Sequence, residues 1–452
     1  MSQKNVYIYT MGCQMNVYDS EQMFRILLPL GYQETSHLSK ADLIIVNTCS
    51  IRDKAEQKAY SFLGRLVHYK RKKSGLIIAV GGCVAQQKKH HLLERMPHVD
   101  LVFGTHTLHR LPEWIRNIEQ KNRSHGVDVE MSDQIHEIQR CGIPFDPTHQ
   151  KISAYVTIMR GCDNYCSYCI VPYVRGSEVS REPSYIIEEI RQLVSNGVRE
   201  VTLLGQNVNS YGKKQGLCSF SELLALVNQI DGLCRIRFAT SHPKDFSDDV
   251  IQAFRNNEKL CSHLHLPVQS GSNHVLSMMN RKYTREDYLK KIETLKQYCP
   301  DIACTTDIIV GFPGETVSDF KETLDLIQTV QFDGLFAFMY SDRPLAKSSS
   351  LNHKLSEEEK NDRLKELLEI QSHNTIKKNL DEVGKTVEIL VEGKSKKNHI
   401  RENCEIVEWT GRSSSNKIVN FVKSSADHNI IGQQVNVMIQ KACAHSLWGE
   451  VV

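Results

Sequence analysis

The chain has 452 residues, a length beyond which a single hydrophobic core stops growing, so two or three domains are expected. Hydrophobic residues make up 40% of it and charged residues 24%, which excludes a wholly disordered or fibrous protein. The net charge of +3 is too small to indicate a nucleic-acid partner by itself. Since no secretory signal or membrane-spanning stretch is evident, we expect a cytoplasmic protein without membrane association.

The first part of the chain alternates short apolar runs with helix-like stretches. Runs suited to buried parallel strands lie at 6–9, 43–46, 76–80 and 99–103. This alternation predicts a doubly wound α/β domain over residues 1–120. The polar, proline-containing residues 121–150 are predicted to be a linker.

A second series of strand and helix patterns begins near residue 151. Helical patterns such as Pro183 to Asn196 and Arg285 to Tyr298 separate most of the strands. Repeated units of this kind predict a partial, TIM-like (β/α)6 barrel over residues 151–378. The six strand candidates are 155–158, 201–204, 235–239, 263–268, 305–310 and 335–340.

The last part of the chain changes from a helical to a strand pattern. A charged helix from Ser356 to about Leu380 is followed by four segments of period two, at 386–391, 405–409, 418–422 and 435–439. This pattern predicts a small antiparallel β-barrel over residues 379–448. The fold class is therefore α/β and multidomain.

Cys162, Cys166 and Cys169 follow the first predicted barrel strand with the spacing Cys-x3-Cys-x2-Cys, and no fourth cysteine lies near them. Thiolates are the soft ligands of iron–sulfur clusters, and a four-iron cluster held by three thiolates keeps one iron open to a small molecule. A structural zinc site is the alternative, but it needs four closed ligands, and only Cys166 and Cys169 have a typical zinc spacing. The missing fourth ligand favours a cluster with an open iron.

This spacing, directly after a first barrel strand, resembles the signature of the radical S-adenosylmethionine superfamily. The resemblance implies that the open iron binds S-adenosylmethionine and that electron transfer cleaves it to methionine and a 5′-deoxyadenosyl radical. Further cofactor contacts are expected at the carboxyl ends of strands, where barrel active sites form. The candidate cofactor-binding residues are Tyr168, Gln206, Asn207, Ser241, Gln269 and Asp307.

Three further cysteines, Cys13, Cys49 and Cys83, each follow one predicted strand of the first domain. Loops at the carboxyl ends of parallel strands converge on one edge of a sheet, so these thiols can meet without adjacency in sequence. Glycines beside two of them permit close backbone approach. The structural alternative is three separate buried cysteines, the usual fate of free cysteine in an α/β domain.

The segments around these cysteines resemble the N-terminal domain of the methylthiotransferases, in which three cysteines carry an auxiliary four-iron cluster. The resemblance implies a second [4Fe–4S] cluster on Cys13, Cys49 and Cys83. It extends to the terminal barrel, which is similar to the RNA-binding TRAM domain of tRNA methyltransferases. The segments that carry it are Gly12-Cys13-Gln14-Met15-Asn16, Asn47-Thr48-Cys49 and Gly81-Gly82-Cys83.

Residues 11–21, 159–162 and 203–211 resemble the MiaB-type branch of this family, which modifies isopentenyladenosine at position 37 of tRNA. The resemblance implies methylthiolation at C2 of that adenine, forming 2-methylthio-N6-dimethylallyladenosine. Two S-adenosylmethionine molecules are consumed, one as methyl donor and one as radical source, and the auxiliary cluster supplies the sulfur. The implied partners are the tRNA, an electron donor such as flavodoxin or ferredoxin, and a sulfur or cluster supply system.

A basic loop on the terminal barrel contains Lys394, Lys396, Lys397 and Arg401, and these are the candidate RNA-binding residues. Such a loop fits contact with phosphates and an affinity that falls with salt. Residues 381 to 452 contain nine Lys/Arg but also nine Asp/Glu, so a merely solvated loop is an equal alternative from charge alone.

Several alternatives and one departure from the family stay open. Another branch of the family would act on threonylcarbamoyladenosine in tRNA or on an aspartate of a ribosomal protein. A non-catalytic RNA-binding protein with structural metal sites is the alternative from another class, and a radical enzyme without sulfur insertion is a third. After residues 340–344 the family usually continues with Gly-Thr, whereas this chain has Leu345 and Ala346, which affects the geometry of that loop.

Overall fold

A computed structural model describes residues 3–50, 53–120, 125–137, 151–395, 407–423 and 429–452. The first part of the chain alternates strands and helices. These elements are β1 (Lys4–Thr10), α1 (Gln14–Leu27), β2 (Tyr32–Glu34), β3 (Leu43–Thr48), α2 (Asp53–Lys72), β4 (Ile77–Gly82), α3 (Cys83–Lys88), α4 (His90–Arg95), β5 (Leu101–Phe103), α5 (Leu111–Gln120) and β6 (Gly126–Asp128).

The six strands form one parallel sheet in the order β2-β1-β3-β4-β5-β6, with the fully buried β3 and β4 at its centre. The four predicted strands are all present. The sequence did not predict β2 or β6, because neither contains a run of apolar residues, unlike the equally short β5. The prediction that all of 121–150 is a linker is wrong at Gly126–Asp128. This segment is β6, which pairs with β5 and lengthens the sheet. Residues 121–124 and 138–150 lie outside the described residues.

The second part of the chain again alternates strands and helices, and both helices singled out in the sequence, at 183–196 and 285–298, occur where they were predicted. The elements are β7 (Ser153–Thr157), β8 (Met159–Arg160), α6 (Val171–Arg175), β9 (Val179–Ser180), α7 (Pro183–Ser195), β10 (Glu200–Leu204), α8 (Phe220–Asn228), β11 (Arg235–Phe238), α9 (Asp248–Asn256), β12 (His263–His265), α10 (Asn273–Met278), α11 (Arg285–Tyr298), β13 (Ala303–Val310), α12 (Val317–Val330), β14 (Gly334–Met339) and α13 (Glu357–Leu380).

Six of these strands form an open barrel. Parallel pairing gives the sheets β7-β10-β11 and β12-β13-β14, and a bridge between Ile236 and Leu260 joins the two. Within the described ranges β7 and β14 do not pair, so the barrel has an open side. Alternate side chains such as Cys304, Ile308 and Val310 pack in the core against the helices. The intervening positions of each strand face the barrel interior.

The last part of the chain forms a closed barrel of five strands. In barrel order these are β15 (Thr386–Lys394), β16 (Glu408–Ser413), β17 (Ile418–Val422), β19 (Leu447–Val451) and β18 (Gln434–Ala442). The predicted β-barrel is confirmed, with two corrections. A fifth strand, β19, completes it and runs past the predicted end at residue 448. Its pairing with β17 is parallel, so the barrel is not wholly antiparallel.

Two buried arginines of β11 attach the terminal barrel to the open barrel. Arg235 donates to the carbonyl oxygen of Glu388 at 3.0 Å, and Arg237 donates to that of Ser413 at 2.7 Å. Arg235 and its neighbour Glu200 are the first residues of their strands, so this docking site lies at the amino ends of the barrel strands. In the described part of the chain no helix is long and apolar enough to cross a membrane.

Candidate active site

The motif Cys162 to Cys169 forms a loop that folds back on itself after β8. The Cys162 amide donates to the carbonyl oxygen of Gly176 at 3.1 Å, and the Cys169 amide donates to that of Cys166 at 3.0 Å. Gly161 has a φ of +80°, and a Cβ there would collide with the Ser177 carbonyl oxygen, so only glycine fits. Burial raises the pKa values of Cys162 and Cys169 to about 12.

A buried guanidinium lies beside this motif. Arg281 Nη1 is 3.5 Å from Cys166 Sγ and donates to the Tyr168 hydroxyl at 3.2 Å. His242 Nε2 lies 3.8 Å from the same sulfur. Burial, and then the charge of Arg281, lowers the pKa of His242, so this imidazole is neutral at neutral pH. Sequence reasoning missed Arg281, because a lone arginine in a loop carries no motif.

The predicted cofactor-binding residues near β10 and β11 surround the motif. Gln206 Oε1 accepts from the Gly161 amide at 2.5 Å. Asn207 Nδ2 donates to Asp245 Oδ2 at 2.7 Å. Asn207 Oδ1 and Ser241 Oγ are buried and have no hydrogen-bond partner in the described residues. Because a buried polar atom without a partner is costly, these two atoms fit a polar ligand such as the amino acid part of S-adenosylmethionine.

The other predicted cofactor-binding residues lie on the β13 side of the barrel. Tyr168 is grouped with the partly buried Ile309 in a small apolar cluster. The backbone of Gln269, at a φ of +75°, donates to the Asp307 carbonyl oxygen at 2.8 Å. The Asp307 carboxylate lies 3.4 Å from His265 Nε2. All six predicted residues thus lie near the carboxyl ends of the barrel strands, and their contacts with a cofactor stay a prediction.

The structure brings Cys13, Cys49 and Cys83 together at the carboxyl edge of the first sheet. They follow the adjacent strands β1, β3 and β4. A hydrogen bond with Cys49 lowers the pKa of Cys13 to about 6, with a smaller effect from the charge of Arg175. Burial raises the pKa of Cys83, which lies close enough to feel the charge of Cys13. The three thiols therefore share one buried site.

A buried polar network holds the loops that carry these cysteines. Asn16 Nδ2 donates to Asn47 Oδ1 at 3.0 Å, and Asn47 Nδ2 donates back to the Asn16 carbonyl oxygen at 2.8 Å. The Thr48 hydroxyl donates to the Gly81 carbonyl oxygen at 2.6 Å. Gly82 has a φ of +90°, and a Cβ there would collide with the Thr48 carbonyl oxygen. Three thiols on loops this closely packed fit an iron–sulfur cluster.

The geometry does not fit a single metal ion. In the ranges that the structure describes, no three His, Cys, Asp or Glu side chains converge closely enough to hold one. A zinc site needs its ligands about 2.0–2.3 Å from one centre, whereas a four-iron cluster takes each thiolate on a different iron. Each cysteine set supplies three thiols, the number that leaves one iron of a four-iron cluster open.

Helix α6 connects the two cysteine sets. It begins two residues after Cys169 and packs against α3, whose first residue is Cys83. Ile170 and Val174 form an apolar cluster with Cys83. Arg175, at the end of the helix, is hydrogen-bonded to Cys83 and donates to Asp19 Oδ2 at 2.7 Å. Sequence reasoning missed Arg175, since its role depends on the packing of one domain on the other.

Of the four predicted RNA-binding residues, one lies within the described part of the chain. Lys394 is exposed at the end of β15, and Lys396, Lys397 and Arg401 lie outside the described residues. Their contact with RNA stays a prediction.

Comparisons with known proteins agree with this layout. Three family models match: an uncharacterized protein family, UPF0004, over residues 5–104, the radical SAM superfamily over 156–327, and the TRAM domain over 381–452. A tRNA-2-methylthio-N(6)-dimethylallyladenosine synthase from Desulfosudis oleivorans is 51% identical, covering 99% of this chain and 97% of the relative. One from Syntrophus aciditrophicus is 50% identical, covering 100% and 95%.

The chain belongs to the tRNA-2-methylthio-N(6)-dimethylallyladenosine synthase family. It is a radical S-adenosylmethionine methylthiotransferase, and its cofactors are S-adenosylmethionine and [4Fe–4S] clusters. No comparison supports the other branches of the family or a non-catalytic protein. The fold is also similar to that of the radical S-adenosylmethionine methyltransferase TsrM from Kitasatospora setae. That structure has a TM-score of 0.58 and 14% identity, covering 77% of each chain.

Proposed function

We propose that this chain methylthiolates C2 of N6-isopentenyladenosine at position 37 of tRNA, consuming two S-adenosylmethionine molecules. The observation that carries the proposal is the pair of three-cysteine sets joined through α6 in a chain of this family. Three thiolates leave one iron of a four-iron cluster open. In the proposal, Cys162, Cys166 and Cys169 hold the cluster that binds S-adenosylmethionine, and Cys13, Cys49 and Cys83 hold the auxiliary cluster.

The chemistry requires a radical, because C2 of adenine carries an unactivated hydrogen that a side-chain base cannot readily remove. When bound, the cluster and S-adenosylmethionine supply a carbon radical for this step. The side chains of the protein bind the cofactor and place positive charge beside the cysteines. Arg281 and Arg175 place one buried guanidinium beside each cysteine set. Asn207 and Ser241 offer buried polar atoms that orient the cofactor.

An iron assay on anaerobic protein tests the assignment of the clusters. Two four-iron clusters predict about eight irons per chain. Replacing Cys13, Cys49 and Cys83 with alanine is expected to remove about four irons and to leave formation of 5′-deoxyadenosine intact. Replacing Cys162, Cys166 and Cys169 is expected to abolish it. The buried Cys261 and Cys304 lie outside both sets, so their alanine variants serve as controls that keep all the iron.

Mass spectrometry of isopentenylated tRNA, after reaction with reductant and S-adenosylmethionine, tests the activity itself. A mass increase of one methylthio group on that nucleoside is expected. 5′-Deoxyadenosine without methylthiolated tRNA would instead support a radical enzyme without sulfur insertion. The electron donor, the sulfur supply and a cytoplasmic location stay predictions.

A further inference from the structure

Two aromatic side chains lie exposed on the open side of the barrel. Phe336 is 57% exposed and Phe338 is 38% exposed, and both belong to β14, the last strand of the open barrel. The alternating residues Leu335 and Ala337 pack against the core. Since side chains alternate along a strand, Phe336 and Phe338 face the barrel interior together. Exposed aromatics that line a concave surface mark a binding site.

The neighbours of these two rings place them next to the candidate active site. Phe336 is in register with Asp307, and Phe338 with Ile309, the residue grouped with Tyr168 of the cysteine motif. His265 contacts Phe336 edge-on, with ring centroids 6.1 Å apart. The aromatic pair is therefore continuous with the residues proposed to bind S-adenosylmethionine.

The same strand leads to the other cysteine set. Four residues after the end of β14, Arg343 lies close enough to Cys49 for their charges to interact. One end of the strand's interior face thus adjoins the Tyr168 side, and the loop beyond it adjoins Cys49. The strand therefore lies between the residues proposed to bind S-adenosylmethionine and the loop beside Cys49.

We propose that Phe336 and Phe338 form the wall that holds the dimethylallyl group of the target nucleotide. The inference rests on the proposed function and adds the residues that select its substrate. A branched, five-carbon apolar group is the part of the nucleotide that gains most from leaving water for an aromatic surface. Asp307 and His265 lie beside Phe336 and would offer polar groups to the purine. Phe336 and Phe338 would thus distinguish a prenylated adenosine from an unmodified one.

The test compares reconstituted enzyme with two forms of one tRNA, isopentenylated and unmodified at the target adenosine. Competition binding in the presence of S-adenosylmethionine, without reductant, gives the preference for the isopentenylated form. Loss of contact with a group of this size is expected to reduce affinity by roughly tenfold or more. Phe336→Ala and Phe338→Ala should therefore lose most of the preference, through weaker binding of isopentenylated tRNA only. Phe338→Leu should retain much of it.

Tyr298→Ala is the matched control, because Tyr298 is an aromatic of similar exposure at the end of α11. It precedes the amino end of β13, whereas the candidate site lies near the carboxyl ends of the strands. It should bind both tRNAs like the wild type. An iron content of about eight per chain and a circular dichroism spectrum like that of the wild type would show that the variants are folded and loaded. Full preference in both alanine variants, or no preference in the wild type, would overturn the inference. A wild type that prefers isopentenylated tRNA but never methylthiolates it would overturn the proposed function instead.

Discussion

Arg175 and Asp19 form a buried ion pair between the two cysteine-bearing domains, with Nη2 and Oδ2 2.7 Å apart. Their side chains are 5% and 17% exposed. Asp19 lies on α1, the helix that Cys13 caps, and Arg175 ends α6, which follows Cys169. The pair therefore connects the helices next to the two cysteine sets, and Arg175 is also hydrogen-bonded to Cys83.

Replacing Arg175 with Met is expected to destabilise the protein, because Asp19 is left as an unpaired buried charge. Breaking such a pair costs about 3–5 kcal/mol, whereas replacing both partners with apolar residues is often nearly neutral. Urea unfolding of the cluster-free chain should show the loss in Arg175→Met and a substantial recovery in the double variant with Asp19→Leu. Equal stability of the single and double variants would contradict the role of the pair.

The double variant, Arg175→Met with Asp19→Leu, also separates the effect of Arg175 on stability from its effect on the auxiliary cluster. It restores packing and removes both charges. Because the charge of Arg175 acts on Cys83 more strongly than that of Asp19, we expect the auxiliary cluster to have a more negative reduction potential. A redox titration followed by electron paramagnetic resonance measures this shift. The exposed Arg110 serves as the control position, and Arg110→Met should change neither the potential nor the iron content.

Gly82→Ala is expected to remove the auxiliary cluster alone. The substitution is strained at a φ of +90° and brings a methyl group into the Thr48 carbonyl oxygen, which displaces the loop of Cys83. Iron should fall from about eight to about four per chain, with 5′-deoxyadenosine formation retained. Gly75→Ala is the control, since a Cβ there meets no atom within 4 Å. Retention of all the iron in Gly82→Ala would show that the loop tolerates the shift.

Arg237→Met is expected to loosen the terminal barrel. Arg237 pairs with the buried Glu200 at 2.9 Å and donates to the carbonyl oxygens of Ser413 and Ser414. Its loss leaves Glu200 unpaired and removes a charge-assisted attachment between the barrels. Hydrogen exchange should accelerate in β16 and the turn after it, while the exposed Arg255→Met should leave that exchange unchanged. Unaltered exchange in Arg237→Met would mean that other contacts hold the joint.

Sequence patterns predicted the strands and helices that have a periodic pattern of their own. They missed the strands and side chains whose role depends on contact between distant segments. The six barrel strands and the helices α7 and α11 follow from periodicity and end signals. Strands β6 and β19 were not predicted, because they are held by pairing with β5 and with β17 and β18 rather than marked by an apolar run of their own. Arg175 and Arg281, the two arginines beside the cysteine sets, were not predicted for a related reason. Their neighbours Asp19 and Cys166 are 156 and 115 residues away in sequence, and no local pattern records such a contact.

The departure at Leu345 has a structural cost. Leu345 adopts a φ of +74° and its side chain is 61% exposed, so it occupies the left-handed conformation that favours glycine without gaining a buried contact. The Ala346 amide donates to the Arg343 carbonyl oxygen at 3.1 Å and closes this turn. A leucine held there costs roughly 1–2 kcal/mol.

Leu345→Gly should therefore stabilise the protein by about 0.5–1 kcal/mol, since the strain relieved exceeds the extra freedom that glycine gives the unfolded chain. Leu351→Gly is the matched control. Leu351 is also exposed and lies in the same loop, but its φ is −72°, which leucine adopts without strain. There glycine should destabilise by about 0.5–1 kcal/mol. Urea unfolding distinguishes the two signs, and destabilisation by both substitutions would show that the turn at Leu345 carries no strain that glycine can relieve.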